Sequence, residues 1–559
     1  MTTTTTRTNR TNIGDLRELI RLDSALAWPP DVFAFAAILL QKSGAYTKVV
    51  EPSWPPAGTA AGSKRSARTA ANRDRWATEI RTLGMAWRKA AAEKEAAPPQ
   101  IRAWLHQLQE QSEMPLDRIN SSPAIYRTLL QTCAAADEAC AGVGLPGHRA
   151  AAATLDRFDI EATQLLRTRQ TLCRSVDNAV VRVLPKLHTP QVGLTLRSLT
   201  HHLALCPSGD ILPEWHKYPS SSSHQRSLNL LLVPWPPTIS PRDFAPVPVP
   251  PAYNMDPRKF GFFTFDPNRR TSEVVNYIVR LFDAATEQVD QVHAVILPEG
   301  ALGPDQHQKL RTQITTKRGA MLIAGVTERS TKDGLVAGKN YCTFDTATVP
   351  TGTPQHQQKH HRWRVDKPQI LQYGLGGSLD PEKIWWEHVG VQQRRVRFVS
   401  IYDWLTMCVL ICEDLARQDP VAELVRAVGP NLVVALLMDG PQLLKRWSSR
   451  YAMVLADDPG SSVLTLTSLG MATLCRPPNE KKTSRCIALW KDAKTGGPYE
   501  IELPSDKEAA VLSLAVEEHV ESSADGRTDA TSDGRGGTGY PILAGIHFVA
   551  RGSQPRRKN

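Results

Sequence analysis

The sequence predicts an α/β layered domain preceded by a mainly α-helical one. Through roughly the first 220 residues, apolar side chains recur every three or four positions, the spacing of a helix with one burying face. Beyond them, short and continuously apolar runs alternate with helical stretches, as in a sheet covered on both faces. A polar break, YPSSSSHQRS (218 to 227), separates the two textures and sets the expected domains at 1–222 and 223–559.

The helices of the first half are DVFAFAAILLQKSGAY, DRWATEIRTLGMAWRKAAAEKEA, PQIRAWLHQLQEQ, SPAIYRTLLQTCAAADEAC and RFDIEATQLLRTRQTLCRSVDNAVVRVL. Ile80, Leu83 and Trp87 share one face, as do Ile101, Trp104, Leu105 and Leu108, so tryptophans 76, 87 and 104 read as core. Between the first two helices, EPSWPPAGTAAGSKRSARTAAN (51 to 72) is too polar and Gly/Pro-rich to bury surface, and a disordered loop is expected. In the second half, LNLLLVPWP, AVILPEG, AMLIAGVTE, VRFVSI, LTMCVLICED, NLVVALLMDG and SSVLTLTSLG read as strands, with helices at SEVVNYIVRLFDAATEQ and around LLKRWSSRYAMVLADD. The Gly-rich stretch from 521 to 538 is expected to be flexible, YPILAGIHFVA (540 to 550) to be one more strand, and RGSQPRRKN a basic tail.

Composition narrows the class. A chain of 559 residues, 41% apolar and 22% charged, is that of a globular protein of about two domains. Its longest apolar run, FAFAAILL, is far short of the roughly 20 residues that span a bilayer, so no membrane association is expected. MTTTTTRTNRTNIGDLREL has early arginines but no apolar core after them, which excludes a secretory signal and sets the expected location in the cytoplasm. Nine cysteines without a CxxC pair fit neither a disulfide framework nor a zinc site, and most read as small buried hydrophobes. The net charge of +11 favours anionic partners, or a basic surface kept for solubility.

Three strand ends carry reactive groups. Glu299 follows AVILP and precedes a glycine; Lys359 lies in HQQKHHRWRVDK; Cys412 follows an apolar strand and precedes Glu413 and Asp414. Alone, each reads as a loop acid, a solvated basic stretch and a buried thiol, the last being the reading for Cys408. Together they supply what a thiol nucleophile needs: a base for its proton and a cation for the oxyanion it creates.

In this order the residues resemble the nitrilase, or carbon-nitrogen hydrolase, superfamily: LPEG with Glu299, QKHH with Lys359 and LICEDLAR with Cys412. LNLLLVPWP, AGVTE with GKNYCTF, NLVVALLMDG and TSRCIALWKDAKTGGPYEIEL are similar to its other strands, so the resemblance spans about 226 to 520 and none of 1 to 220. It implies an αββα sandwich, a cysteine thioester intermediate, no metal or organic cofactor, and a homo-oligomer. By matching position, Cys412 would attack a carbonyl or nitrile carbon, Glu299 would take its proton, and Lys359 with the backbone N–H of Glu413 would hold the oxyanion. Asp366 is the nearest acid after the lysine for the family's second glutamate, while Asp414 would open the following helix. The segment from Lys359 to Cys412 is longer than usual, and its Tyr373, Trp385, Trp386 and basic QQRRVR end are expected in a substrate pocket or partner surface.

The leading expectation is hydrolysis of a non-peptide C–N bond in a small-molecule amide or nitrile. N-acyl transfer to an amine would use the same residues. Glutaminase work coupled to NAD synthesis is disfavoured by the lack of an SGGxDS loop after the domain. In another class, the domain would be a module of a larger assembly, its helical half and basic surface binding protein or nucleic acid. Nitrilase-like domains occur in bacterial antiviral defence systems, some beside reverse transcriptases, although no polymerase signature is present here. A catalytically dead scaffold is the bland alternative, against which stands the presence of all three reactive residues.

Overall fold

The computed structural model describes residues 11–20, 27–51, 54–55, 65–146, 157–209, 211–218, 225–249, 253–267, 269–347, 356–392, 394–476, 483–529 and 538–550. The first part holds helices α1 (Ile13–Ile20), α2 (Pro29–Ser43), α3 (Arg65–Glu93), α4 (Pro99–Glu110), α5 (Leu116–Ile119), α6 (Pro123–Ala139) and α7 (Arg157–Arg169). FAFAAILL is the buried middle of α2, which packs on α6, and Trp76, Trp87 and Trp104 are all core. Much of the loop expected at 51–72 lies outside the described residues, but 65–72 is the first part of α3, and Trp54 packs edge-on to Trp76. The helix expected through AVVRVL stops at Arg169. Gln170 turns to φ 54°, and the β-branched run becomes a strand instead.

Strands β1 (Val181–Pro185), β2 (Leu203–Pro207) and β3 (Leu212–Lys217) therefore precede residue 222. After it come β4 (Ser227–Leu232), β5 (Phe244–Val247), β6 (Phe260–Phe265), α8 (Thr271–Thr286), β7 (Ala294–Leu302), α9 (Pro304–Arg311), β8 (Met321–Glu328), β9 (Lys339–Asp345), β10 (His356–Gln358) and β11 (Arg364–Val365). The chain continues through α10 (Lys367–Gln372), β12 (Ile384–Glu387), β13 (Arg395–Ser400), β14 (Thr406–Ile411), α11 (Glu413–Ala416), α12 (Glu423–Val428) and β15 (Leu432–Leu437). It ends with α13 (Trp447–Asp457), β16 (Ser462–Thr467), α14 (Leu469–Leu474), β17 (Cys486–Lys491), β18 (Tyr499–Glu502), β19 (Ala509–His519) and β20 (Thr538–Val549).

Two seven-stranded sheets dominate, ordered β10-β9-β8-β7-β4-β19-β20 and β18-β17-β16-β15-β14-β13-β3. They face each other where β7 meets β15 and β16. Alternate residues explain the unbroken apolar runs: Leu228, Leu230 and Leu232 point between the sheets, while Leu231 and Val233 lie under α8. With α13 against β16 on the far side, the layers are αββα. A smaller sheet, β11-β12-β6-β5, flanks them.

The boundary at 222 cuts across the second sheet. β3 pairs in parallel with β13, Trp215 stacks on Phe398, and Glu214 takes Arg395 at 2.7 Å and Arg397 at 2.8 Å. Part of the basic QQRRVR end, expected at a pocket or partner surface, is thus committed within the chain. The stretch expected to be flexible from 521 is ordered through 529, the rest lying outside the described residues. Its anchor is Arg527, 0% exposed, which donates to Asp525 at 3.0 Å, Asp137 at 3.1 Å and Glu138 at 2.8 Å. Buried carboxylates without a cation would be costly, so this arginine holds the segment in place against α6.

Candidate active site

Glu299 lies within β7, Lys359 directly after β10 and Cys412 directly after β14, and they are 2%, 1% and 3% exposed. Glu299 lies where the β7–β8 register shifts, between Leu297 and Leu302. Such a bulge re-aims a side chain. Gly325 of β8 permits it: a Cβ there would lie 2.3 Å from Pro298 O and 2.5 Å from the Glu299 Cα. Lys359 follows β10, and its backbone N–H donates to Asn340 O at 2.8 Å.

Cys412 occupies the turn from β14 into α11 at φ 44°, ψ −107°. A non-glycine residue there stores strain that the surroundings must hold, as strand-to-helix turns presenting a nucleophile do. Its own N–H is spent on Leu436 O at 2.9 Å. Glu413 opens α11, so its N–H has no acceptor within the helix. The Glu413 carboxylate accepts from Arg417 at 2.9 Å. Asp414, beyond opening the helix, accepts the backbone N–H of His360 at 3.1 Å and faces His361 Nδ1 at 2.9 Å, tying the cysteine turn to the lysine segment.

The Lys359 ammonium donates to Glu299 Oε1 and Glu387 Oε2, each at 2.7 Å. Asn340 Nδ2 closes the ring, reaching Glu299 Oε1 and Glu387 Oε1 at 2.7 Å each. Glu299 Oε2 is buried without a hydrogen-bond partner, which leaves one carboxylate oxygen able to accept a proton. Burial, offset by Lys359 but reinforced by Glu387, holds the Glu299 carboxyl above the usual range. Burial works against the Lys359 ammonium, yet Glu299 and Glu387 outweigh it and keep its pKa well above normal. At Cys412 burial and Glu299 raise the thiol well above its usual value despite Lys359, so the resting group is a thiol that needs a base.

The second carboxylate on the lysine is therefore Glu387, not Asp366. Asp366 instead caps α10, accepting the Gln369 N–H at 3.3 Å, and pairs at the surface with Arg364 at 3.5 Å. A search just after the lysine misses Glu387 because the insertion moves it 28 residues along; an acid inside the apolar strand IWWEH was the available signal. Asn340, in GKNYCTF, gave no signal beyond its place in the hairpin. Glu387→Gln is expected to slow acylation about 10²-fold by loosening Lys359, whereas Asp366→Asn should leave it unchanged. Stopped-flow acylation of both variants checks the contrast.

Trp385 shares its face of β12 with Glu387 and packs tightly over Gly261, where a Cβ would come 2.5 Å from the ring, so it is core and not an open pocket wall. Trp386 alternates to the other face. Tyr373 is buried, and its hydroxyl donates to Asp439. Cys408 is a buried strand residue whose thiol burial pushes up. Among the described residues no cluster of His, Cys, Asp and Glu suited to a metal ion is found, and no helix is long and apolar enough to cross a membrane.

No protein-family model and no curated protein matches the chain. Solved structures do. Saccharomyces cerevisiae Nit3, of branch 10 of the nitrilase superfamily, is 11% identical over 53% of this chain and 93% of its own, with a TM-score of 0.32. A nitrilase-superfamily amidase from Nesterenkonia AN1 is 12% identical over 52% and 90%, at 0.30. A carbon-nitrogen hydrolase from Helicobacter pylori G27 is 10% identical over 58% and 88%, at 0.28. Likenesses this distant say nothing of activity. In fold, about half of this chain is an αββα sandwich, preceded by a mainly helical region.

Proposed function

We propose that the protein hydrolyses a non-peptide C–N bond through a thioester on Cys412. The observation that carries this reading is the buried ring of Glu299, Lys359, Glu387 and Asn340, with one free oxygen on Glu299, beside a cysteine strained at a strand-to-helix turn.

Glu299 takes the proton from the Cys412 thiol as sulfur adds to the substrate carbonyl carbon. Lys359 and the Glu413 N–H hold the negative oxygen that forms. As the tetrahedral intermediate collapses, the C–N bond breaks and Glu299 returns the proton to the leaving amine. Water then loses a proton to Glu299 and attacks the thioester carbon. The C–S bond breaks, the acid leaves, and the proton goes back to sulfur. For an amide the sum is amide plus water giving acid plus amine. A carboxyl raised by burial suits this work, because its pKa moves toward that of the thiol it must deprotonate.

The acid limb of kcat/KM should follow Glu299. Since its folded pKa lies above the ordinary value, activity is lost as pH falls through a midpoint higher than that of a free glutamate. Glu299→Gln should abolish that limb together with most of the rate, which a pH–rate series would read. The direct test is intact-mass detection of an acyl adduct after exposure to a panel of small amides and nitriles. A covalent adduct on wild type that is absent in Cys412→Ala and Glu299→Gln supports the mechanism. Adducts indifferent to both substitutions would overturn it.

A further inference from the structure

A second buried polar cluster reaches Cys412 from the β15 side and takes no part in the chemistry above. Because the Cys412 N–H donates to Leu436 O, the cysteine turn and the end of β15 are bonded neighbours, and Asp439 lies three residues beyond. Asp439 is among the charges that act on Cys412, along with Glu299, Lys359 and Glu413. Its carboxylate accepts from the Tyr373 hydroxyl and from Arg446, through Nη2 to Oδ1 and through Nε to Oδ2 at 3.3 Å. The Gly440 N–H in turn donates to the Tyr373 oxygen at 3.1 Å. Gly440 makes room for this packing: a Cβ there would sit 2.7 Å from Cys475 Sγ and 3.1 Å from Arg446 Cζ.

Tyr373 is carried by the insertion between Lys359 and Cys412. Ile370, Tyr373, Leu375 and Leu379 of that segment belong to the same apolar cluster as Met438. The Met438 methyl lies 2.7 Å from where a Gly300 Cβ would be, next to Glu299. The inserted segment thus packs beside Met438 and, through it, next to Gly300 and Glu299. Gly374, at φ 63°, lets the chain turn out of α10 directly after Tyr373.

We propose that Arg446 and Tyr373 are positioning residues that act on Cys412 through Asp439, keeping that carboxylate ion-paired and hydrogen-bonded so that it does not oppose the negative charge the nucleophile develops. This rests on the thiol-nucleophile reading. An uncompensated carboxylate in the dry site would oppose both the thiolate and the oxyanion that follows.

Iodoacetamide alkylation of Cys412, followed by peptide mass spectrometry from pH 6 to 10, tests this in the full chain. Arg446→Met is expected to slow alkylation at pH 8 about tenfold and to move the midpoint up by about one pH unit. Tyr373→Phe should shift it less, in the same direction. The double variant Asp439→Asn/Arg446→Met, which removes both charges, should return to within about threefold of wild type. If Arg446→Met does not fold, Asp439→Asn alone is expected to speed alkylation relative to wild type, and an unchanged rate counts against the proposal. An unaltered profile in Arg446→Met, or a double variant as slow as the single, overturns it. Sensitivity to Glu299→Gln without sensitivity to Arg446→Met sinks this inference alone. Indifference to both Glu299→Gln and Lys359→Met sinks the thiol-nucleophile reading itself.

Discussion

Lys359→Met is expected to lower the rate of acylation by about 10²- to 10³-fold, the usual cost of one oxyanion donor. The loss is compounded, since the ammonium is also the hub that holds Glu299 and Glu387 at 2.7 Å each. Without it two buried carboxylates face each other, and breaking a buried pair in this way costs about 3–5 kcal/mol unless protons are taken up. The variant should therefore be less stable at neutral pH and recover as pH falls and the carboxyls protonate. Single-turnover acylation with thermal melts at pH 5 and pH 8 reads both effects. Lys359→Arg keeps the charge and separates the catalytic loss from the electrostatic one. A folded Lys359→Met retaining more than a tenth of the wild-type rate would remove the lysine from the mechanism.

Arg527→Met is the substitution with the largest expected cost to the fold. The guanidinium is fully buried among Asp525, Asp137 and Glu138 and also donates to Leu199 O at 2.7 Å. Removing it strands these carboxylates, again about 3–5 kcal/mol by analogy with other broken buried pairs. Hydrogen exchange should rise first in α6 and in 521–529, and Asp525→Asn should restore part of the loss. Burial pushes Asp137 up, but Arg527, His202 and His201 together bring it down to about 2. A carboxyl depressed in the folded state adds stability that is complete above its unfolded pKa and fades as pH falls toward about 2. Wild type should thus lose stability from roughly pH 4 downward, and Arg527→Met should show a flatter acid limb. Equal melting of the two proteins at neutral pH would mean that the strap carries no energy.

The trio proposed for the chemistry was legible because Glu299 and Cys412 adjoin readable apolar runs and a thiol nucleophile calls for that combination of side chains. Glu387 was not, since the insertion that hides it in sequence folds β12 back beside β6, bringing an acid 28 residues away onto the lysine. Asp366 misled for the converse reason: it is near in sequence, but the Lys367–Pro368 helix start claims it as a cap. Arg527 looked like part of a polar linker, because nothing local tells that Asp137 and Glu138, almost 400 residues earlier, require a cation.

Local pattern alone therefore determined most helices of the first half, though not the end of the last one, together with the strand runs of the second and the three reactive side chains, because periodicity and side-chain chemistry are properties of neighbours in sequence. Only the tertiary structure decided which second carboxylate meets Lys359, that Cys412 is held strained in a buried turn, and that β3 and Arg527 bind the helical region to the sandwich. Those outcomes depend on burial and on charges brought together across the chain, and neither is written in any one segment.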